Sequence, residues 1–460
     1  MRTARRLGTL CLSALLLIWP AAWNGYPLVF SDTGTYLGQA LIGYLGWDRP
    51  AFYSLFLLLT HWRLTLWLSV LAQGLITAHL LSLVLRAHGL PGNLPLLLAA
   101  AGLAVLSGLP WLAAQLMPDL FTGLLVLALW LLGFRAAVLS TGERVWVLLL
   151  ASGGVAVHLS HLPLALGLGL LGSALLFAFR GRREAYLGAA RMLAPPLLAS
   201  LAMMAANAAG HGRLAVSPFG SVFMAARVIY DGPGMAHLRR ACPEAGYRIC
   251  GVLDRLGPYH NAFLWYPTSP LHNELGGPKA WAPEASAIVL GTLREAPAAM
   301  GAAALANTLR QLALVAPGDG LEPWPGVPGP EPLIARFFPQ ERERFLASRQ
   351  QQGLLLDDVR SLAPLHRLLA LAGLLGVALL VVRHRRTLGL PRFALAAFVL
   401  AAALGNAAVT GGLSGPAERY QARIAWLFVL APALLALPAL RADRHRRAAP
   451  SGSADLLYRP

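Results

Sequence analysis

The chain has 460 residues, 57% of them hydrophobic and 13% charged, with a formal net charge of +17 at pH 7. Apolar runs recur from end to end, which excludes an ordinary soluble domain and marks an integral membrane protein. The basic residues stand in short arginine clusters between those runs, with Lys279 the only lysine, so the charge reads as a topology signal and not as a nucleic-acid footprint.

The opening MRTARRLGTLCLSALLLIWPAAW has the basic start and apolar centre of a signal peptide. Its apolar centre is long and Pro20–Trp23 offers no small-residue cleavage site, so a retained first helix is expected. A crossing needs about 20 apolar residues. The candidates are Leu7–Trp23, Leu64–Leu85, Leu94–Pro110, Leu120–Phe134, Val145–Leu159, Leu162–Phe179, Met192–Ala209, Ala363–Val382, Phe393–Val409 and Ile424–Leu440. Val145–Leu159 is short and contains glycine, as a partial or tilted helix would.

Ten crossings put Arg2/Arg5/Arg6, Arg86, Arg135/Arg144, Arg180/Arg182/Arg183/Arg191, Arg383/Arg385/Arg386/Arg392 and Arg441/Arg444/Arg446/Arg447 on one side, with both termini cytoplasmic. The expected fold is an all-α polytopic membrane protein. Residues 1–209 form an N-terminal transmembrane module, 210–362 an extracytoplasmic insertion, 363–440 the C-terminal transmembrane helices and 441–460 a cytoplasmic tail. Within the insertion, residues 295–316 either lie on the membrane as an amphipathic helix or cross it. Cys242 and Cys250 are close enough in sequence to pair in an oxidising compartment, whereas Cys11 reads as an inert apolar residue.

Most of the unusual polar residues fall on the outer side. Asp32, in SDTGTY, is either a helix cap shared with Ser31 or a functional carboxylate at the membrane face. Asp48 and Arg49 follow in WDRPAFY; Arg49 either binds a lipid phosphate or pairs with Asp48. Asp119, after Pro118, answers a helix dipole or shares a cavity with Asp32. His158 and His161, three apart, suit hydrogen bonds to an anionic substrate or closure of a turn, and as a pair they fall short of a zinc site. Arg419 and Arg423 share a helical face in SGPAERYQAR with Glu418 and Tyr420, and Arg227 and Asp231 stand in FMAARVIYDG. Positive charge on the outer side calls for an anionic partner such as a phosphate.

SDTGTYL, RPAFYSLFL, MPDLF, HLSHLPLAL, ARVIYDGP and SGPAERYQARIAWL together resemble the GT-C membrane glycosyltransferases, and within them an uncharacterised bacterial branch. The resemblance covers most of the chain. It implies a bacterial inner-membrane enzyme with a periplasm-facing site that moves a sugar from a polyprenyl-phosphate donor to a glycan, lipid or protein acceptor. It implies Asp32 and Asp119 as catalytic acids, Asp32 being the general base of an inverting transfer. Arg49, Arg227, Arg419 and Arg423 would hold the donor phosphate, and Tyr36, Asp48, His158, His161 and Tyr420 would bind substrate. No cofactor is required; a divalent metal is compatible with the resemblance, but the sequence indicates no site for one. Many relatives carry an adjacent Asp-Glu pair where Asp32 is followed by Thr33. The principal rival is a transporter or flippase of lipid-linked sugars; a membrane acyltransferase using His158 or His161, and a non-catalytic export factor, are further rivals.

Overall fold

The computed structural model describes residues 2–242, 244–384 and 386–448; Arg385 and positions 449–460 of the expected tail lie outside the described residues. Among the described residues the chain is all-α, with 22 α-helices and no sheet. Each of the ten apolar runs lies in or across helices. The first part contains α1 (Arg2–Leu17), α2 (Trp19–Asn24), α3 (Ser31–Ile42), α4 (Phe52–His61), α5 (Trp67–Ala87), α6 (Asn93–Leu106), α7 (Leu109–Ala114), α8 (Leu120–Phe134), α9 (Thr141–Ala156), α10 (His161–Phe179) and α11 (Arg182–His211).

Two runs read as continuous are broken, and proline supplies the reason. Pro20 stands in the first turn of α2 and Pro110 in the first turn of α7. A first-turn proline forfeits no intrahelical bond, so the chain restarts there instead of continuing α1 or α6. The short α9 begins at a capping box: Ser140 Oγ accepts from Glu143 N at 3.3 Å, and Glu143 Oε2 accepts from Ser140 N at 2.8 Å. Arg86 of α5 reaches the same carboxylate at 2.5 Å.

The remainder contains α12 (Gly220–Tyr230), α13 (Pro233–Ala241), α14 (His260–Trp265), α15 (Pro270–Asn273), α16 (Gly277–Glu295), α17 (Pro297–Ala313), α18 (Glu331–Phe337) and α19 (Pro339–Leu346). Then come α20 (Leu355–His384), α21 (Leu390–Ala407), which runs on into the π-helical Ala408–Gly412, and α22 (Glu418–Ala448). The helix α8 is apolar all round and buried from Leu120 to Leu132, with α5, α9, α10, α11, α21 and α22 packed about it. Gly123 lets the Trp426 ring of α22 lie directly on α8, and Gly373 lets α20 approach the α22 backbone at Phe428. A side chain at either position would push the helices apart.

Among the described residues, five helical stretches can cross a membrane by length and composition: α5, α10, α11, α20 and Leu390–Gly412, or six if α16 and α17 count as one broken span. Leu94 and Leu98 on α6, Leu197 and Leu201 on α11, and Leu368, Leu375 and Leu379 on α20 are exposed. So broad an apolar surface suits lipid, not water.

The segment 210–362 has two parts. Residues 219–288 have their own core around Phe263, Trp281 and Ile288, and carry the Cys242–Cys250 disulfide with Cα atoms 5.7 Å apart. Val315, Leu321, Ile334, Phe338, Phe345 and Leu355 join the main core instead. Between the parts, α16 and α17 meet at 104°. Largely exposed, α17 leans on Ala408–Gly412, α21 and α22.

Candidate functional site

After α2 the chain turns through Gly25, which ends that helix at φ 83°, and runs extended through Leu28. Leu28 N donates to Ala114 O at 3.0 Å, and Leu116 N donates to Leu28 O at 2.8 Å, forming a parallel bridge between Leu28 and Gln115. Buried amides close around it. Gln73 Nε2 donates to Ala113 O and Gln115 O, at 3.0 and 2.9 Å, while Val29 N and O both bond the Gln350 side chain, at 3.0 and 2.7 Å. Thr33 Oγ1 accepts from Phe30 N at 2.9 Å and donates to Leu116 O at 3.1 Å.

These bonds bring two helix starts together. Asp32 lies in the first turn of α3 and Asp119 immediately precedes α8, each four positions beyond its side of the bridge. The hydroxyl of Thr33 occupies the Phe30 N–H, so the Asp32 carboxylate is left for charge partners. Arg49 Nη2 lies 2.5 Å from Asp32 Oδ1, and Arg419 Nη1 lies 3.7 Å from Oδ2; the Asp32 side chain is 13% exposed. Ser31 Oγ donates to Asp32 at 3.3 Å. Arg49 also pairs with Asp48 and stacks on Trp265, 5.2 Å from the ring centre.

The second carboxylate lies deeper. Asp119 Oδ1 is 3.5 Å from Arg423 Nη1, with side-chain exposures of 5% and 0%. Arg423 donates to Asn406 Oδ1 at 2.7 and 3.1 Å and to Ser160 Oγ at 2.8 Å. Tyr420 links the two layers: Arg419 lies 4.9 Å and Arg423 5.6 Å from its ring centre, and Arg419 donates to its hydroxyl at 3.3 Å. Phe30 covers Arg419 at 4.3 Å. Despite these contacts Asp119 Oδ1, Arg419 Nη1 and Arg423 Nη1 are buried without a hydrogen bond. Orphaned buried polar atoms are costly, so these three mark the cluster as a candidate site.

Charge sets the protonation states. Burial pushes the Asp32 carboxyl up, but Arg49 and Arg419 outweigh it and hold the group below the usual carboxylate range. Tyr36 is pushed up, by burial first, with Asp32 and Asp119 both acting on it against Arg49 and Arg419. His158 lies in the turn before α10. Its Nδ1 accepts from Ser160 N at 3.2 Å, so Nε2 carries the proton. His158 is therefore a neutral donor at the edge of the cluster.

The other expected residues are placed differently. His161 Nδ1 donates to Gly154 O at 2.6 Å and its Nε2 accepts from Thr122, also at 2.6 Å, so both nitrogens serve the helix packing. Arg227 pairs with Asp231 one helical turn away, and Asn307 donates to both Asp231 oxygens at 3.2 and 3.1 Å. That cluster ties α12 to α17. Among the described residues no group of three or more His, Cys, Asp or Glu side chains converges as a metal site.

Sequence reasoning missed Asn406, Ser160, Trp265 and the amides Gln73 and Gln115. A lone Asn within the apolar run ALGNAAV was the available signal for Asn406. Comparison of the chain with protein-family models, with curated proteins and with solved structures finds no match.

Proposed function

We propose that the chain is a GT-C-type membrane glycosyltransferase that moves a sugar from a polyprenyl-phosphate donor to an extracytoplasmic acceptor. The observation that carries the reading is the joint position of Asp32, Arg49, Arg419, Asp119 and Arg423, whose buried Arg419 Nη1 and Arg423 Nη1 face carboxylates without making a hydrogen bond. In this reading the helices cross the membrane ten times, both termini are cytoplasmic and the cluster faces the periplasm. The lipid phosphate enters against Arg419 and Arg423, whose fixed guanidinium groups suit charge that grows as the bond breaks.

The transfer forms a bond between the acceptor oxygen and the anomeric carbon and breaks the bond from that carbon to the phosphate oxygen. The bonding pair leaves with the polyprenyl phosphate, and the acceptor proton passes to Asp32. Ion-paired with two arginines, Asp32 is a weak base. A phosphate that draws Arg49 and Arg419 toward itself restores its basicity, so donor binding arms the base. Attack opposite the leaving phosphate inverts the anomeric centre. Asp119, held by Arg423, orients sugar hydroxyls, and His158 donates from the rim.

The break of 104° between α16 and α17 favours a second reading, a transporter or flippase of lipid-linked sugar, because transporters place discontinuous helices at their binding sites. Donor turnover by purified protein in detergent separates the two. Enzyme activity lost in Asp32→Asn supports transfer; flipping in vesicles that persists in Asp32→Asn without chemistry supports transport.

A further inference from the structure

The helix α17 is amphipathic the wrong way round for water. Its exposed residues from Pro297 to Leu309 are all proline, glycine, alanine or leucine, with Leu305 60% and Leu309 59% exposed, while its polar residues Asn307, Thr308 and Gln311 stand on the face turned to the protein. Asn307 holds Asp231, and Thr308 donates to Ala304 O at 2.7 Å. The buried Gln311 takes both backbone groups of Ala417: its Nε2 donates to Ala417 O at 2.8 Å, and its Oε1 accepts from Ala417 N at 2.9 Å. The chain just past α17 adds two bonds. Ala316 N donates to Glu418 Oε2 at 2.8 Å, and Arg419 N donates to Asp319 Oδ2 at 3.1 Å. The entry to α22 is therefore held at three successive residues, Ala417, Glu418 and Arg419.

Close approach fixes which face is which. A side chain at Gly411 would meet Asn307 O at 2.6 Å, and one at Gly412 would meet Thr308 Oγ1 at 3.4 Å, so the π-helical segment lies directly on the polar edge of α17. That segment ends the stretch Leu390–Gly412, which is long and apolar enough to cross a membrane, and Leu404 and Leu413 on either side of it are exposed as well. A helix laid along the end of a membrane span is within reach of hydrocarbon. Water would draw the polar edge outward; hydrocarbon leaves it inside, as observed. Exposed Arg310 closes the apolar face, and its long side chain can carry its charge to a headgroup.

We infer that α17 is seated in the bilayer, with its Leu305 and Leu309 face against lipid hydrocarbon, and that Gln311 on its inner edge is a positioning residue that fixes the entry to α22 and with it Arg419 and Arg423. The lipid contact stands on the inverted polarity of α17 and needs no reading of the activity. The effect of Gln311 on a donor phosphate rests on the glycosyl-transfer reading. Buried away from water, the paired bonds of Gln311 to Ala417 make a stiff joint between the lipid-seated helix and the arginines.

The test uses the full-length protein in vesicles of phosphatidylethanolamine and phosphatidylglycerol at a low protein-to-lipid ratio. A nitroxide is placed on Leu305→Cys or Leu309→Cys in a Cys11→Ala background, with Asp357→Cys, whose native side chain is 80% exposed, as the aqueous control. Collisions with oxygen are expected to exceed those with a water-soluble nickel chelate at positions 305 and 309, and the order to reverse at 357. Nickel collisions at 305 and 309 as frequent as at 357 would place the face in water and overturn the inference. Labels shielded from both reagents would place a protein partner there and overturn it equally. For the joint, Gln311→Leu is expected to raise the donor KM at least tenfold and leave the acceptor KM unchanged, whereas mere loss of folded protein would lower kcat alone. Should Gln311→Leu fail to fold, Gln311→Asn, one methylene too short to reach Ala417, carries the same expectation. An unchanged donor KM in either folded variant would remove the positioning role. Absence of turnover in wild type would remove the glycosyltransferase reading and the role of Gln311 toward a donor, while the labels still decide the lipid contact.

Discussion

Asp119 and Arg423 face each other at 3.5 Å in a site closed to solvent, yet the facing atoms, Asp119 Oδ1 and Arg423 Nη1, make no hydrogen bond. Asn406 and Ser160 hold the arginine from its other side. A buried pair in this state is strongly interdependent, because either partner alone is an uncompensated charge.

Removing one partner should therefore be severe. Arg423→Leu is expected to cost about 3–5 kcal/mol of stability, as is typical for breaking a buried pair. The double variant Asp119→Asn/Arg423→Leu is expected to cost clearly less than the sum of the two single changes. Thermal unfolding in detergent measures both, and strict additivity would mean that the two side chains are not coupled.

The bridge of Leu28 with Gln115 predicts a second effect through Thr33. Thr33→Val removes the hydroxyl that accepts from Phe30 N and donates to Leu116 O, at an expected cost of about 1–2 kcal/mol. Thr33→Ser should recover most of that loss. Because Asp32 follows Ser31 at this same helix start, donor turnover should fall along with stability in Thr33→Val and return in Thr33→Ser. Turnover unchanged in a destabilised Thr33→Val would mean that the bridge does not position Asp32.

For Asp32 the pH dependence has a definite sign. Its folded-state value is depressed, so the ion pairs contribute fully above the unfolded carboxylate value of about 3.9 and are lost as pH falls through the lower folded value. Melting temperature should then decline on the acid side of about pH 4 in wild type, and Asp32→Asn should flatten that decline. A melting temperature that falls between pH 7 and 5 equally in both proteins would point to other groups.

His158 offers a donor at Nε2, because its Nδ1 accepts from Ser160 N. His158→Gln preserves a neutral donor and should keep most donor affinity; His158→Leu should weaken donor binding several-fold. Equal affinity in His158→Leu and wild type would take His158 out of the site.

The apolar runs and the sparse charges between them were legible because a membrane chain tolerates few polar residues, and Asp32, Asp119, Arg419 and Arg423 stand out against such a background. Their partners were not, since Arg423 meets Asn406 and Ser160 across long stretches of sequence. Periodicity carries no information about such contacts. The pairing of Arg227 with Asp231, by contrast, has an i, i+4 spacing that the sequence displays. The bridge at Leu28 is a backbone event in an irregular segment, and no side-chain pattern announces it. The breaks at Pro20 and Pro110 were readable in principle, but hydropathy averages across them.

The most direct measurement is transfer of a labelled sugar from a panel of polyprenyl-phosphate donors by the purified full-length protein, comparing wild type with Asp32→Asn and following the anomeric configuration of the product by NMR. The account predicts turnover or slow donor hydrolysis in wild type, an inverted product and a loss of at least a hundredfold in Asp32→Asn, within the range of general-base contributions. Undiminished turnover in Asp32→Asn, or a product that retains the donor configuration, would contradict it.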